Sequence, residues 1–158
     1  MLGIDPGTAV TGYGVVESST TGTARLVECG IVRTNVRQAL WHRLDTLYTG
    51  IEELIERHRP DVLAIESVFH AKNAHTTVVL GHARGVVLLA AARAGLEIAE
   101  FPPATVKKSV VGSGGARKEQ VGYMVQRLLR LESPPTPDDA ADGVAVGLTY
   151  LITRRKSA

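Results

Sequence analysis

Four acids in this chain stand where carboxylates rarely serve packing. Asp5 closes the apolar run Leu2-Gly3-Ile4 just ahead of a Pro6-Gly7 turn, and Glu66 closes a second run, Val62-Leu63-Ala64-Ile65. Acids are depleted in strands and almost never buried without a partner. Asp5 therefore either caps its own turn or serves a site. Asp139 and Asp142 are three residues apart, a spacing that puts both on one face of a helix. The sequence offers these acids no adjacent cation. Converging carboxylates of this kind call for a hard divalent ion bound through oxygen, Mg2+ or Mn2+. With phosphate nearby, the chemistry such a set supports is metal-assisted phosphodiester hydrolysis.

The charge distribution supplies the reason to expect phosphate. The 158 residues carry a net charge of +2, but residues 67–118 hold seven Lys/Arg against two Asp/Glu, while residues 1–66 are net acidic. A basic middle segment suits a polyanion, and a solvated basic surface would look the same. The single cysteine, Cys29, can form no internal disulfide and fits a reducing cytoplasm. No signal segment or apolar run of membrane-spanning length is expected. The length fits one domain over 1–153, with the basic tail 154–158 read as disordered.

The elements that must position the acids follow from periodicity. After the strand ending at Asp5, residues 10–17 and 23–34 read as two antiparallel strands. Residues 38–58 form an amphipathic helix with Leu40, Leu44, Leu47, Ile51, Leu54 and Ile55 inward, ended by Pro60. The run ending in Glu66 reads as a strand buried on both faces. Parallel to the first strand, it would deliver Glu66 and Asp5 to the same end of the sheet, where ligands gather. Residues 76–94 form a helix that is apolar nearly all round. It faces either a second subunit, approached through Gly81 and Gly85, or the C-terminal helices of its own chain. A strand at 97–101, helices at 104–111 and 117–131, and a last helix from the Asp138-Asp139 pair to about Thr153 complete the chain.

Two loops carry further chemistry. In 67–75, Phe69 either tucks under the loop or presents a ring to a ligand, and His70 and His75 lack a metal-ligand motif. The segment Gly112-Ser-Gly-Gly-Ala-Arg117-Lys118 only superficially resembles a nucleotide phosphate loop: Arg117 replaces the second glycine, and Glu119 stands where Ser or Thr should follow the lysine. It either presents backbone N–H groups and Lys118 to a polynucleotide phosphate or is a solvated turn.

Taken together, Leu-Gly-Ile-Asp5-Pro-Gly-Thr, Ala-Ile-Glu66-Ser-Val-Phe69, Ala-Lys72-Asn73-Ala, Leu-Gly-His-Ala-Arg84-Gly-Val, Val106-Lys107-Lys108-Ser-Val-Val-Gly112 and Asp139-Ala-Ala-Asp142 resemble the RuvC crossover junction endodeoxyribonucleases, in order and over essentially the whole chain. The resemblance implies an α/β, RNase H-like (retroviral integrase superfamily) fold with a mixed five-stranded sheet flanked by helices. It implies a homodimer that nicks four-way (Holliday) DNA junctions symmetrically, with two Mg2+ or Mn2+ ions per site, leaving 5′-phosphate and 3′-hydroxyl ends. It also implies work alongside the RuvA–RuvB branch-migration complex. Asp5, Glu66, Asp139 and Asp142 match the catalytic, metal-binding acids, and Phe69 matches an aromatic that stacks on junction bases. Lys107 and Lys118 match basic residues beside the active site. DNA contact is further assigned to Lys72, Asn73, Arg84, Lys108 and Arg117. The doubled Asp138-Asp139 leaves the third acid's register open by one residue, and the i, i+3 spacing to Asp142 favours Asp139.

Three rivals stand beside this. An actin/sugar-kinase-type ATP-binding fragment also opens with strand–Asp–x–Gly–Thr, but needs a second domain and leaves the later acids idle. RuvC-like nucleases that mature ribosomal RNA share the fold but lack the Phe69-His-Ala-Lys-Asn loop. A catalytically silent junction binder would have no use for four intact acids.

Overall fold

The computed structural model describes residues 1–19, 22–67 and 73–157, the last three of these through their backbone only. Five strands, β1 (Leu2–Asp5), β2 (Val10–Ser18), β3 (Ala24–Arg33), β4 (Val62–Glu66) and β5 (Glu97–Phe101), form one sheet in the order β3-β2-β1-β4-β5. β1 pairs antiparallel with β2, which pairs antiparallel with β3, while β1–β4 and β4–β5 are parallel. The mixed five-stranded sheet is as expected from the sequence.

Helices cover both faces. On one side α1 (Leu40–His58) and α2 (Ala74–Arg93) pack over Leu2, Ile4, Leu63 and Ile65. On the other, α3 (Pro103–Val111), α4 (Lys118–Leu129) and α5 (Asp138–Ser157) close over Val16, Val62 and Ala64. Neighbouring strand positions feed opposite cores, as alternation requires. The α1 helix buries Leu47, Ile51, Leu54 and Ile55 at its three- and four-residue steps. It ends on Arg59, at φ 43°, whose N–H donates to the Ile55 carbonyl.

Three expectations change. The C-terminal helices lie on the opposite face of the sheet from α2, so they do not cover it. Its Ala83, Val87, Ala90 and Ala91 side is buried, while Val78 and Leu89 stay exposed along an open groove with Leu44, Gly81 and Gly85. Second, α2 has the length and hydropathy of a membrane span, alone among the described helices. Averaging over 20 residues hides its His75, His82, Arg84 and Arg93, and here it is a packing helix on a sheet. Third, α5 is helical through Ser157, beyond the Thr153 end and into the tail read as disordered.

The approach of α5 to the sheet is unusually close. A Cβ on Gly12 would sit 1.7 Å from the Asp139 carbonyl oxygen, and one on Gly3 2.4 Å from the Gly143 oxygen. From the other side, a Cβ on Gly143 would lie 2.6 Å from the Tyr13 backbone. Backbone rests on backbone, and this sets the height of Asp139 and Asp142 above the sheet.

Candidate active site

The parallel register of β1 and β4, with Ile4 opposite Ile65, brings Asp5 and Glu66 to the same sheet end on adjacent strands. The turn after Asp5 is fixed by Thr11, which is fully buried. Its hydroxyl donates to the Gly7 carbonyl and accepts from the Gly7 N–H, at 2.7 and 3.1 Å. The first two turns of α5 then lay Asp139 and Asp142 over this end. One carboxylate oxygen from each of Asp5, Asp139 and Asp142 falls within 4.8 Å of the others. Asp138 stays exposed and outside the cluster.

Glu66 is not among these three, but it feels them. Burial first, then repulsion from Asp142, lifts its carboxyl to about 7, with Lys107 and Lys118 pulling the other way. Asp5 is pushed further, to about 8, by burial, then by Glu66 and Asp142. Among the described residues, one cation is in direct contact with these acids. Lys118, at the start of α4, places Nζ 2.8 Å from Asp142 Oδ2 and 3.4 Å from Asp139 Oδ1. These bonds raise its own pKa. So the expectation of acids without a cationic partner needs correcting: the partner is 21 and 24 residues away in sequence and arrives through the packing of α4 against α5.

Lys118, with Lys107 acting at longer range, does not offset burial and the repulsion among the acids, which hold Asp5 and Glu66 part-protonated near neutral pH. The donor set is all carboxylate oxygen, close-set, half-buried and short of positive charge. That fits a hard divalent ion. Asp5, Asp139 and Asp142 are placed to bind one directly, and Glu66 is within electrostatic reach.

The other sequence-predicted residues divide. Lys107, half-buried on α3, acts electrostatically on Glu66. Lys108 and Arg117 are exposed on the same side of the sheet as the acids' covering helices. Arg117 donates its backbone N–H to Gln120 Oε1, 2.8 Å away, which shapes the turn ahead of Lys118. Asn73 caps α2, its side-chain oxygen accepting from the His75 N–H at 2.8 Å. Arg84 is paired with Glu100 on β5, and its Nε is buried without a hydrogen-bond partner. Phe69, Lys72 and His70 lie outside the described residues.

The fold and site have known counterparts. The family model described as Crossover junction endodeoxyribonuclease RuvC matches residues 1–150. A protein of that name from Moorella thermoacetica is 51% identical over 151 residues, covering 95% of this chain and 89% of its own length. Among solved structures, Thermus thermophilus RuvC superposes with a TM-score of 0.87 at 34% identity, covering 99% of this chain and 97% of that one. T. thermophilus RuvC in complex with Holliday junction substrate gives 0.88 at 31% identity, covering 99% and 96%.

Proposed function

This chain belongs to the RuvC family of crossover junction endodeoxyribonucleases, and from that premise we propose how its residues do the work. The protein is a metal-dependent endonuclease that resolves Holliday junctions. The observation that carries the residue assignment is the meeting of Asp5, Asp139 and Asp142 oxygens within 4.8 Å at the strand end that also bears Glu66.

Asp5, Glu66, Asp139 and Asp142 hold two Mg2+ or Mn2+ ions. When bound, such ions supply a nucleophilic water at neutral pH and stabilise the leaving 3′ oxygen. Asp5, on the central strand, would be a ligand together with Asp139 and Asp142, its neighbours in the oxygen cluster. Lys118 keeps Asp139 and Asp142 aligned while the site is metal-free, and beside DNA it turns to a phosphate. Lys107 stands ready for a neighbouring phosphate, with Lys108 and Arg117 further out. Phe69, Lys72 and Asn73, which follow Glu66 closely in the sequence, are the residues assigned to the crossover. Arg84 can reach DNA only by leaving Glu100. The products carry 5′-phosphate and 3′-hydroxyl ends.

Symmetric cutting needs two active sites, and the open α2 groove with Val78, Gly81, Gly85 and Leu89 supports a homodimer seam there. Exposed apolar surface rimmed by polar groups marks such interfaces. Partnership with RuvA–RuvB, and work on DNA in the cytoplasm, follow from the family reading. The test is cleavage of a synthetic four-way junction beside matched duplex and RNA–DNA hybrid, with and without Mn2+. Paired nicks at the crossover, only with metal, are expected. Preferential cleavage of RNA would move the protein to the RNA-processing relatives.

A further inference from the structure

The corner between β3 and α1 carries a cluster that the acids and lysines of the active site do not use. Trp41 is 70% exposed and Val36 66%. Single exposed apolar residues need no explanation, but these sit in a net basic stretch whose nearest acid in sequence is the exposed Asp45, one turn along α1 from Trp41. Arg33, Arg37 and His42 are exposed in the same stretch of chain, and the Trp41 and His42 ring centroids are 6.0 Å apart. No acid occurs between Glu28 and Asp45, and none lies in the first turn of α1. Tryptophan and arginine together are the residues most enriched where surfaces bind.

The strand order fixes where this corner lies. β3 runs antiparallel to β2, and β2 antiparallel to β1, so β3 points the same way as β1. Asp5 is level with Gly12, and Gly12 with Ile31. Arg33 therefore emerges at the active-site end, two strand spacings or about 10 Å across from the Asp5 strand. The loop is also tied to the turn that follows Asp5. The Thr34 N–H donates to the Ala9 carbonyl at 3.0 Å, and its hydroxyl donates to the Thr8 carbonyl. Arg43 Nε in turn donates to the Thr34 hydroxyl at 3.2 Å. Anything held by this corner is held in fixed relation to Asp5.

We infer that Arg33, Val36, Arg37 and Trp41 form a docking surface for the DNA arm that flanks the scissile strand, with the arginines on backbone phosphates and Trp41 flat against a sugar or base. The inference rests on the junction-nuclease reading. A second copy of the chain fits this corner poorly. An isologous contact would set arginines against arginines, whereas the α2 groove offers neutral apolar surface.

Trp41 is the only tryptophan in the chain, so its emission reports this corner alone. The full-length protein is titrated with a four-way junction in EDTA, while anisotropy of a fluorescein-labelled junction records binding independently. Trp41 emission should change and saturate with the anisotropy curve. Trp41→Ala should weaken binding at least about five-fold, the low end for an aromatic on a nucleotide. Arg37→Ala should lower the slope of log K against log salt by about 0.9. Both should melt with the parent, since both side chains are exposed. Unchanged emission at saturating junction, with cleavage intact, overturns this inference and leaves the nuclease reading standing. Emission that shifts on dilution without DNA overturns it by placing a second copy there. A junction that is neither bound nor cut removes both.

Discussion

Replacing Asp5 by Asn should stabilise the metal-free protein while abolishing its catalysis. The folded Asp5 carboxyl titrates near 8 against an ordinary value of 3.8. Between those values the native state holds a proton that the unfolded chain has lost. Stability contributed by the neutral acid is therefore complete below about pH 4, drains away as pH rises, and is gone above about pH 8. At pH 7 the gap spans about three pH units, an upper bound of about 4 kcal/mol at about 1.4 kcal/mol each. Asp5 is only partly buried, and the amide must find partners of its own, so about half of that, ~2 kcal/mol, is expected. For a chain of this size that is a rise in Tm of about 4–8 °C. The assay is a pair of melting series in EDTA from pH 4 to pH 8. The curves should lie together at the acid end and part steadily toward pH 8, with the variant above. Adding Mn2+ should raise the parent by about 2.7 kcal/mol at a hundred-fold excess over its Kd, and the variant hardly at all. A variant that melts below the parent at pH 8, or a gap that narrows with pH, would refute the electrostatic account.

Asp139→Asn should cost far more activity in the junction assay than Asp138→Asn, because only Asp139 joins the oxygen cluster; the reverse order would move the third acid by one residue. Leu89→Arg should give a folded monomer in sedimentation, since Leu89 is exposed in the groove, and a persisting dimer would place the seam elsewhere. Phe69→Ala should leave Tm near the parent's yet slow junction resolution, with less change of 2-aminopurine fluorescence at the crossover. A large fall in Tm with normal cleavage by the folded fraction would make Phe69 a packing residue.

Much of the site was legible because strand ends and helix spacing are local properties. Leu2-Gly3-Ile4-Asp5 and Val62 to Glu66 announce apolar strands ending in acids, and three-residue spacing joins Asp139 to Asp142 without any tertiary information. What stayed hidden depends on which elements touch. Periodicity left Lys118 at a loop, the family resemblance set it beside the active site, and only the docking of α4 against α5 makes it the acids' direct partner. Arg84 looked free for DNA, and only the crossing of α2 over β5 gives it Glu100. The open face of α2 hinged on which side of the sheet received α5, a choice that periodicity does not encode. Trp41 gave no signal beyond its composition, because exposure is a property of the fold.

The contact of α5 with β1 and β2 has a genetic consequence. Because peptide bonds there meet with no side chain between them, a single added methyl has nothing soft to displace. Gly12→Ala would drive its methyl into the Asp139 carbonyl, lifting two acids away from the other two. Inactive alleles of this enzyme should therefore cluster at Gly3, Gly12 and Gly143 as well as at the carboxylates themselves. A mutational screen scored only by activity would then point to a row of glycines that carry no charge and no ligand side chain.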